Sequence, residues 1–123
     1  MRCSYYLHTI PPQADESLAL ASTFAVIRNA SVPLGVESEE RPNDASTRWR
    51  VVTDQKNRLY YFDSAMSPSL FWIDATKLDF SAGAPVLKLT LDENCALIAD
   101  GTYVAGQANS FFKPAELFQF LPA

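Results

Sequence analysis

The chain has 123 residues, 48% hydrophobic and 20% charged, the balance of a globular domain and not of a disordered tail. Its formal net charge is -4 with both signs interspersed, so no basic stripe is present to neutralise phosphates, and nucleic-acid binding is not expected. No apolar run approaches a membrane span, and Arg2-Cys3-Ser4-Tyr5-Tyr6 followed by Pro11-Pro12 does not read as a secretory signal. The length suits one domain over residues 1–123, and no internal repeat is visible.

In chain order, residues 1–9 form a short aromatic segment that must stop at Pro11-Pro12, because proline cannot continue a helix. No capping residue precedes Arg2, so the chain reads as starting inside an element. Asp15 then offers a helix N-cap, with Glu16 placed where the helix dipole favours an acid. Leu20, Phe24 and Ile27 recur at i, i+4 and i+7, which predicts the main helix from about Asp15 to about Arg28. Residues 37–45 are a charged, proline-containing loop of the solvated kind.

Residues 46–64 carry the strongest local signal. Trp49 and Val51 alternate with Arg48, Arg50 and Val52, and after Asp54-Gln55-Lys56-Asn57 the alternation resumes in Leu59, Tyr60, Tyr61 and Phe62. A period of two on both sides of a polar tetrad predicts a hairpin, with strands over 47–53 and 58–63 and one buried face. A short strand over 70–73 follows, then a turn or single helical turn over 74–79, then an alternating strand over 86–91. Asp100-Gly101 between two apolar runs predicts a second hairpin, because glycine reaches the positive φ of a type I′ turn. The tail over 111–121 holds Phe111, Phe112, Phe118 and Phe120, and such a tail is expected to dock on something.

Each candidate for chemistry has a plainer explanation. Cys3 and Cys95 lie far apart without ligand spacing, and two free thiols are preferred to a disulfide. His8 is the sole histidine, so a His/Cys zinc cluster is excluded by counting, and it reads as a surface residue. Cys3 could in principle be a nucleophile, but two residues precede it and a packed structural thiol is the preferred reading. Asp44, Asp54, Asp63, Asp74, Asp79, Asp92 and Asp100 fall at turns and strand ends, where aspartate serves the backbone, so no paired acid/base site is indicated. Asn29-Ala30-Ser31 matches the glycosylation sequon but is short enough to arise by chance. Tyr60-Tyr61-Phe62 and Phe71-Trp72 read as core and cross-strand pairs and not as a stacking platform. No catalytic residue, cofactor site or metal site is assigned.

Several ordered segments nevertheless resemble the choloylglycine hydrolase family, which holds penicillin V acylases and bile salt hydrolases. Arg2-Cys3-Ser4-Tyr5-Tyr6-Leu7 looks like the end of a helix that begins, in the family, with a Ser-Arg-Phe type sequence. The stretch from Ala25 through Ile27-Arg28-Asn29 to Pro33-Leu34-Gly35 looks like the next helix and its exit. Thr47-Arg48-Trp49-Arg50, Tyr60-Tyr61-Phe62, Phe71-Trp72-Ile73-Asp74 and Lys77-Leu78-Asp79-Phe80 look like late strands. Tyr103-Val104-Ala105-Gly106 and Phe112-Lys113-Pro114-Ala115 are similar to the family's C-terminus.

The resemblance implies an α+β fold, part of an Ntn-hydrolase αββα sandwich, with one main helix and a mostly antiparallel sheet. It implies an amidase of linear C–N bonds acting on penicillin V, conjugated bile salts or N-acyl amides. It also implies that the family's N-terminal nucleophilic cysteine, its neighbouring aspartate and arginine and its oxyanion asparagine lie upstream of this stretch. The Ser-Arg-Phe arginine would fall just before Met1, with Arg2 the next arginine along that helix. The expectation is therefore a C-terminal portion, inactive alone, whose partner is the missing N-terminal portion or a second copy. The competing expectation is a stand-alone binding or regulatory module on the same scaffold. The family is bacterial, cytoplasmic or periplasmic, and the compartment of this chain is left open.

Overall fold

The computed structural model describes residues 2–35, 39–40 and 45–117. The loop expected over 37–45 thus lies mostly outside the described residues, as do Phe118 and Phe120 of the tail. Helix α1 (Arg2–Thr9) closes with the Ile10 N–H donating to the Tyr6 carbonyl at 2.9 Å, and the prolines prevent a further turn. Helix α2 (Glu16–Asn29) begins at Asp15, whose extended backbone and side-chain acceptance from the Leu18 N–H at 2.9 Å make it the N-cap. The Asn29 amide donates to the Tyr6 hydroxyl at 3.0 Å and ties the two helices together.

The hairpin is β1 (Trp49–Asp54) and β2 (Leu59–Ser64), paired residue for residue without a bulge. Its turn is held by the Asp54 carboxylate, which accepts from the Asn57 N–H at 3.0 Å, and Arg58 takes a positive φ of 56° to re-enter the sheet. Strand β3 (Leu70–Asp74) pairs antiparallel with β2, and a 3-10 turn at Ala75–Lys77 follows, capped by Asp74. Beyond it come β4 (Leu87–Lys88), β5 (Ile98–Ala99), β6 (Thr102–Tyr103), β7 (Gly106–Gln107) and β8 (Lys113–Pro114). The main sheet runs β1-β2-β3-β7, with β7 parallel to β3. The β5–β6 hairpin turns through Asp100 and Gly101, both at positive φ (49° and 72°), as an Asp-Gly type I′ turn requires.

The sheet is covered on both faces. On one, Phe24 of α2, flanked by Leu20 and Ile27, packs on Val52, Tyr61, Leu59, Leu70 and Trp72. The Phe24 and Tyr61 rings meet edge to face with centroids 5.9 Å apart, and Tyr61 lies 5.7 Å from Trp72. On the other, Phe71 is 2% exposed and packs with Leu97, Ala108, Leu89, Leu91, Val104 and Phe111. Phe62 stacks on Phe71 at 5.2 Å there, so the aromatic runs are core and cross-strand pairs.

Three expectations need correcting. The hairpin does not have a single buried face: α2 covers Val52 and Tyr61 on one side, Phe62 packs against the Phe71 cluster on the other, and Trp49 is left 52% exposed. The strand expected over 86–91 is only two residues long, because its partner is the two-residue strand Lys113–Pro114, and proline donates nothing to a ladder. Its alternation is still used, since Leu89 and Leu91 both reach the Phe71 cluster. Finally, Cys3, expected as a packed structural thiol, is exposed.

Candidate functional site

Cys3 lies in α1 and lines an apolar groove of about 320 Å³ between the two helices, with Leu7, Ile10, Ala19, Thr23 and Val26. The thiol is exposed and free, and His8 on the same helix is exposed as well. Among the described residues neither side chain meets a general base, an acid or an orienting partner, so no nucleophilic machinery is assembled there. Cys95 is likewise free and sits in a loop where the Asp92 carboxylate accepts from the Asn94 and Ala96 N–H groups at 3.0 and 2.7 Å. Among the described residues no group of three or more His, Cys, Asp or Glu side chains could hold a metal, and no helix is long and apolar enough to cross a membrane.

The carboxylates mostly serve turns, as read from the sequence. Asp54 accepts from Asn57, Asp74 from the Thr76 N–H at 3.0 Å, and Asp79 from the Ser81 N–H at 2.9 Å. Hydrogen bonds from Asn57, Thr76 and Ser81 hold these three carboxyls below their usual range. Asp44 lies outside the described residues.

Asp63 is the exception: it lies near a strand end, as expected, but its carboxylate serves two arginines and not the backbone. It sits within β2 with its side chain 6% exposed, facing α2 between two arginines. Arg28 of α2 donates from Nε to Oδ2 at 2.9 Å and from Nη2 to Oδ1 at 3.2 Å. Arg50, directly opposite on β1, donates from Nε to Oδ2 at 2.7 Å. Arg50 is itself held by the Ser31 hydroxyl at 3.3 Å and the Ser64 carbonyl at 3.4 Å. Burial pushes the Asp63 carboxyl up, but the hydrogen bonds and charges of Arg28 and Arg50 outweigh it and hold the group below the usual carboxylate range. Both oxygens are occupied, so the carboxylate fixes α2 to the sheet and is not free to abstract a proton. Parity could have revealed it: Arg50 and Asp63 share the inward register of Val52 and Tyr61.

At the other end of α2, Lys56 pairs with Glu16, and the Asn57 amide bridges Glu16 at 3.2 Å to Asp54 at 2.8 Å. This cluster is exposed and borders an open groove of about 230 Å³ between α2 and β1. The fold thus presents grooves and ion pairs, with no assembled catalytic constellation among its described residues.

Comparison with known proteins supplies the missing context. A family model described as linear amide C–N hydrolases, choloylglycine hydrolase family, matches residues 1–95. A penicillin V acylase from Pectobacterium atrosepticum is 39% identical over 98% of this chain, which covers 34% of that relative. The solved structure of penicillin V acylase from Agrobacterium tumefaciens superposes with a TM-score of 0.86 and 45% identity over 99% of this chain. The chain covers 37% of that structure, so it spans about a third of the length of the relatives it matches. With helices against a mostly antiparallel sheet in the α+β arrangement of an Ntn-hydrolase, and a family match over most of its length, the chain belongs to the choloylglycine hydrolase family of linear amide C–N hydrolases.

Proposed function

We propose that this chain is one domain-sized portion, the C-terminal one, of an amidase that hydrolyses linear amide C–N bonds in penicillin V, conjugated bile salts or N-acyl amides. It has no turnover alone and acts together with the upstream portion of the same fold. The observation that carries this reading is near-complete likeness over a third of a relative: 99% of this chain aligns with 37% of a penicillin V acylase. The described side chains support it, because Cys3 meets no base and Asp63 is fully engaged by arginines. Without nucleophile, base and oxyanion donors, little transition-state stabilisation remains.

Purified chain incubated with penicillin V and with glycine- and taurine-conjugated bile salts is expected to release no product above background. Turnover that disappears in Cys3→Ala would overturn the proposal. One observation favours a second reading, a stand-alone non-catalytic binding or regulatory module: the segment from β4 to β8 covers the second sheet face and gives the chain a core on each side of its sheet. A cooperative melt of a monodisperse monomer that ignores the upstream portion of a relative would select this module reading.

A further inference from the structure

Residues 86–115 close on themselves. The chain leaves through β4 and returns through β8, where Leu87 faces Pro114 and Lys88 faces Lys113. The Ala115 N–H donates to the Val86 carbonyl at 2.8 Å and extends that neck. Between its ends the segment also bonds to itself. The Asp92 N–H donates to the Ala96 carbonyl at 2.9 Å, and the Asp92 carboxylate accepts from the Ala96 N–H in return. The Val104 N–H donates to the Leu97 carbonyl at 2.8 Å beside the β5–β6 hairpin. Leu89, Leu91, Leu97, Val104 and Phe111 gather over Phe71.

Among the described residues the polar ties from this segment to the sheet fall at two places. One is the edge of β3 and the turn after it. There β7 pairs alongside Phe71 and Trp72, and the Ala108 N–H donates to the Trp72 carbonyl at 2.8 Å. The Asn109 Oδ1 accepts from the Asp74 N–H at 2.8 Å, and its Nδ2 donates to the Asp74 carbonyl at 2.9 Å. Lys77 reaches the Gln107 side chain from the surface at 3.1 Å. The other place is the Ser64 hydroxyl, which donates to the Asn94 carbonyl at 3.0 Å. By contrast, β1, β2 and β3 pair with one another along strands of five or six residues. The link into the segment is built to turn: residues 79–83 are exposed, and Gly83 takes a φ of 86° with nothing within 4 Å of where a side chain would sit. The cost of opening a segment follows the contacts and bonds it loses, so releasing this one costs less than unfolding the sheet.

We propose that residues 86–115 are a hinged cover: the segment comes away from β3 as one unit, turning on residues 79–85, and uncovers Phe62 and Phe71. Helix α2 stays on the opposite face, so one core is kept while the other opens. The open state presents the stacked Phe62 and Phe71 rings to solvent. Strand pairs of two residues do not persist without the apolar cluster beneath them, so the whole segment loses protection together.

Amide exchange of the full chain in increasing urea tests this. The Asp92, Val104, Ala108 and Ala115 amides report from four places along the segment. They should share one opening constant and one urea dependence, with opening at least about tenfold more frequent than at Val52 and Tyr61 in the β1–β2 ladder. Asn109→Ala and Ser64→Ala each cut a tie at a different place. Either variant should raise the opening of all four reporters by a common factor of about five or more, with Val52 and Tyr61 remaining slower. Equal opening at the four reporters and at Val52 and Tyr61 would overturn the proposal, because the chain would be one cooperative block. Unequal opening among the four, or a response to Asn109→Ala confined to Ala108, would overturn it in favour of separate fraying of short strands.

Discussion

Arg28 and Asp63 meet 2.9 Å apart across the contact between α2 and β2, and this pair is the polar pin beside an otherwise aromatic interface. Arg28 also stacks over Phe24 at 5.2 Å, so one guanidinium serves the carboxylate and the ring that anchors the helix.

Replacing the carboxylate by an amide removes the negative charge between two guanidiniums and leaves them one amide oxygen to share. Asp63→Asn should destabilise the fold by about 3 kcal/mol, the usual effect of breaking a buried ion pair from one side. Arg28→Ala should lose only about 1 kcal/mol, because that side chain is 50% exposed and Arg50 still satisfies Asp63. Urea unfolding midpoints of the two variants provide the check, and equal losses would contradict the asymmetry.

The same pin sets a pH dependence. The Asp63 carboxyl is depressed in the folded chain, so the unfolded chain binds the extra proton first and stability falls as pH falls. The contribution is complete above the unfolded carboxylate value of about 3.9 and is lost as pH drops through the lower folded value. Unfolding measured from neutral pH downward should show wild type losing its margin over Asp63→Asn below about pH 4.

The second core should depend on one ring. Phe71 is 2% exposed, and Phe71→Ala is expected to cost about 3–5 kcal/mol. The segment from β4 to β8 should loosen first, seen as faster amide exchange at Ala108 and Val104. Trp49→Ala, on the same face but half exposed, should cost less than about 1 kcal/mol.

Asn109→Ala should expose the Asp74 N–H and carbonyl to water at a cost of about 1–2 kcal/mol. Exchange at the Asp74 amide should rise by about tenfold or more while the β1–β2 ladder stays protected. Asn109→Asp should restore only the accepting half of the contact and fall between the two.

Local signals were legible in the sequence and tertiary choices were not. Asp15 as N-cap, the stripe of Leu20, Phe24 and Ile27, and the Asp100-Gly101 turn are each decided within a few residues, and the structure places them as read. Whether α2 would lie on Trp49 or on Val52 depends on Tyr61 and Trp72, residues on other strands, so alternation alone could not choose the face. Asp63 reads as a strand-end residue with a backbone role because its two arginines come from residues 28 and 50, 35 and 13 positions away. Asn109 carried no signal at all, since an asparagine that mimics a strand has the composition of any loop.

A sheet that can be entered from one side only has a valence of one. If both edges were open, each copy could bind on its left and on its right, and pairing would propagate into a filament. Here the side next to β3 carries the two-residue strand β7 and, at Asp74, the Asn109 carboxamide, so it offers little backbone to an incoming strand. Asn109 therefore works against extension from a distance in sequence: by bonding both backbone groups of Asp74, it removes them as a template for pairing.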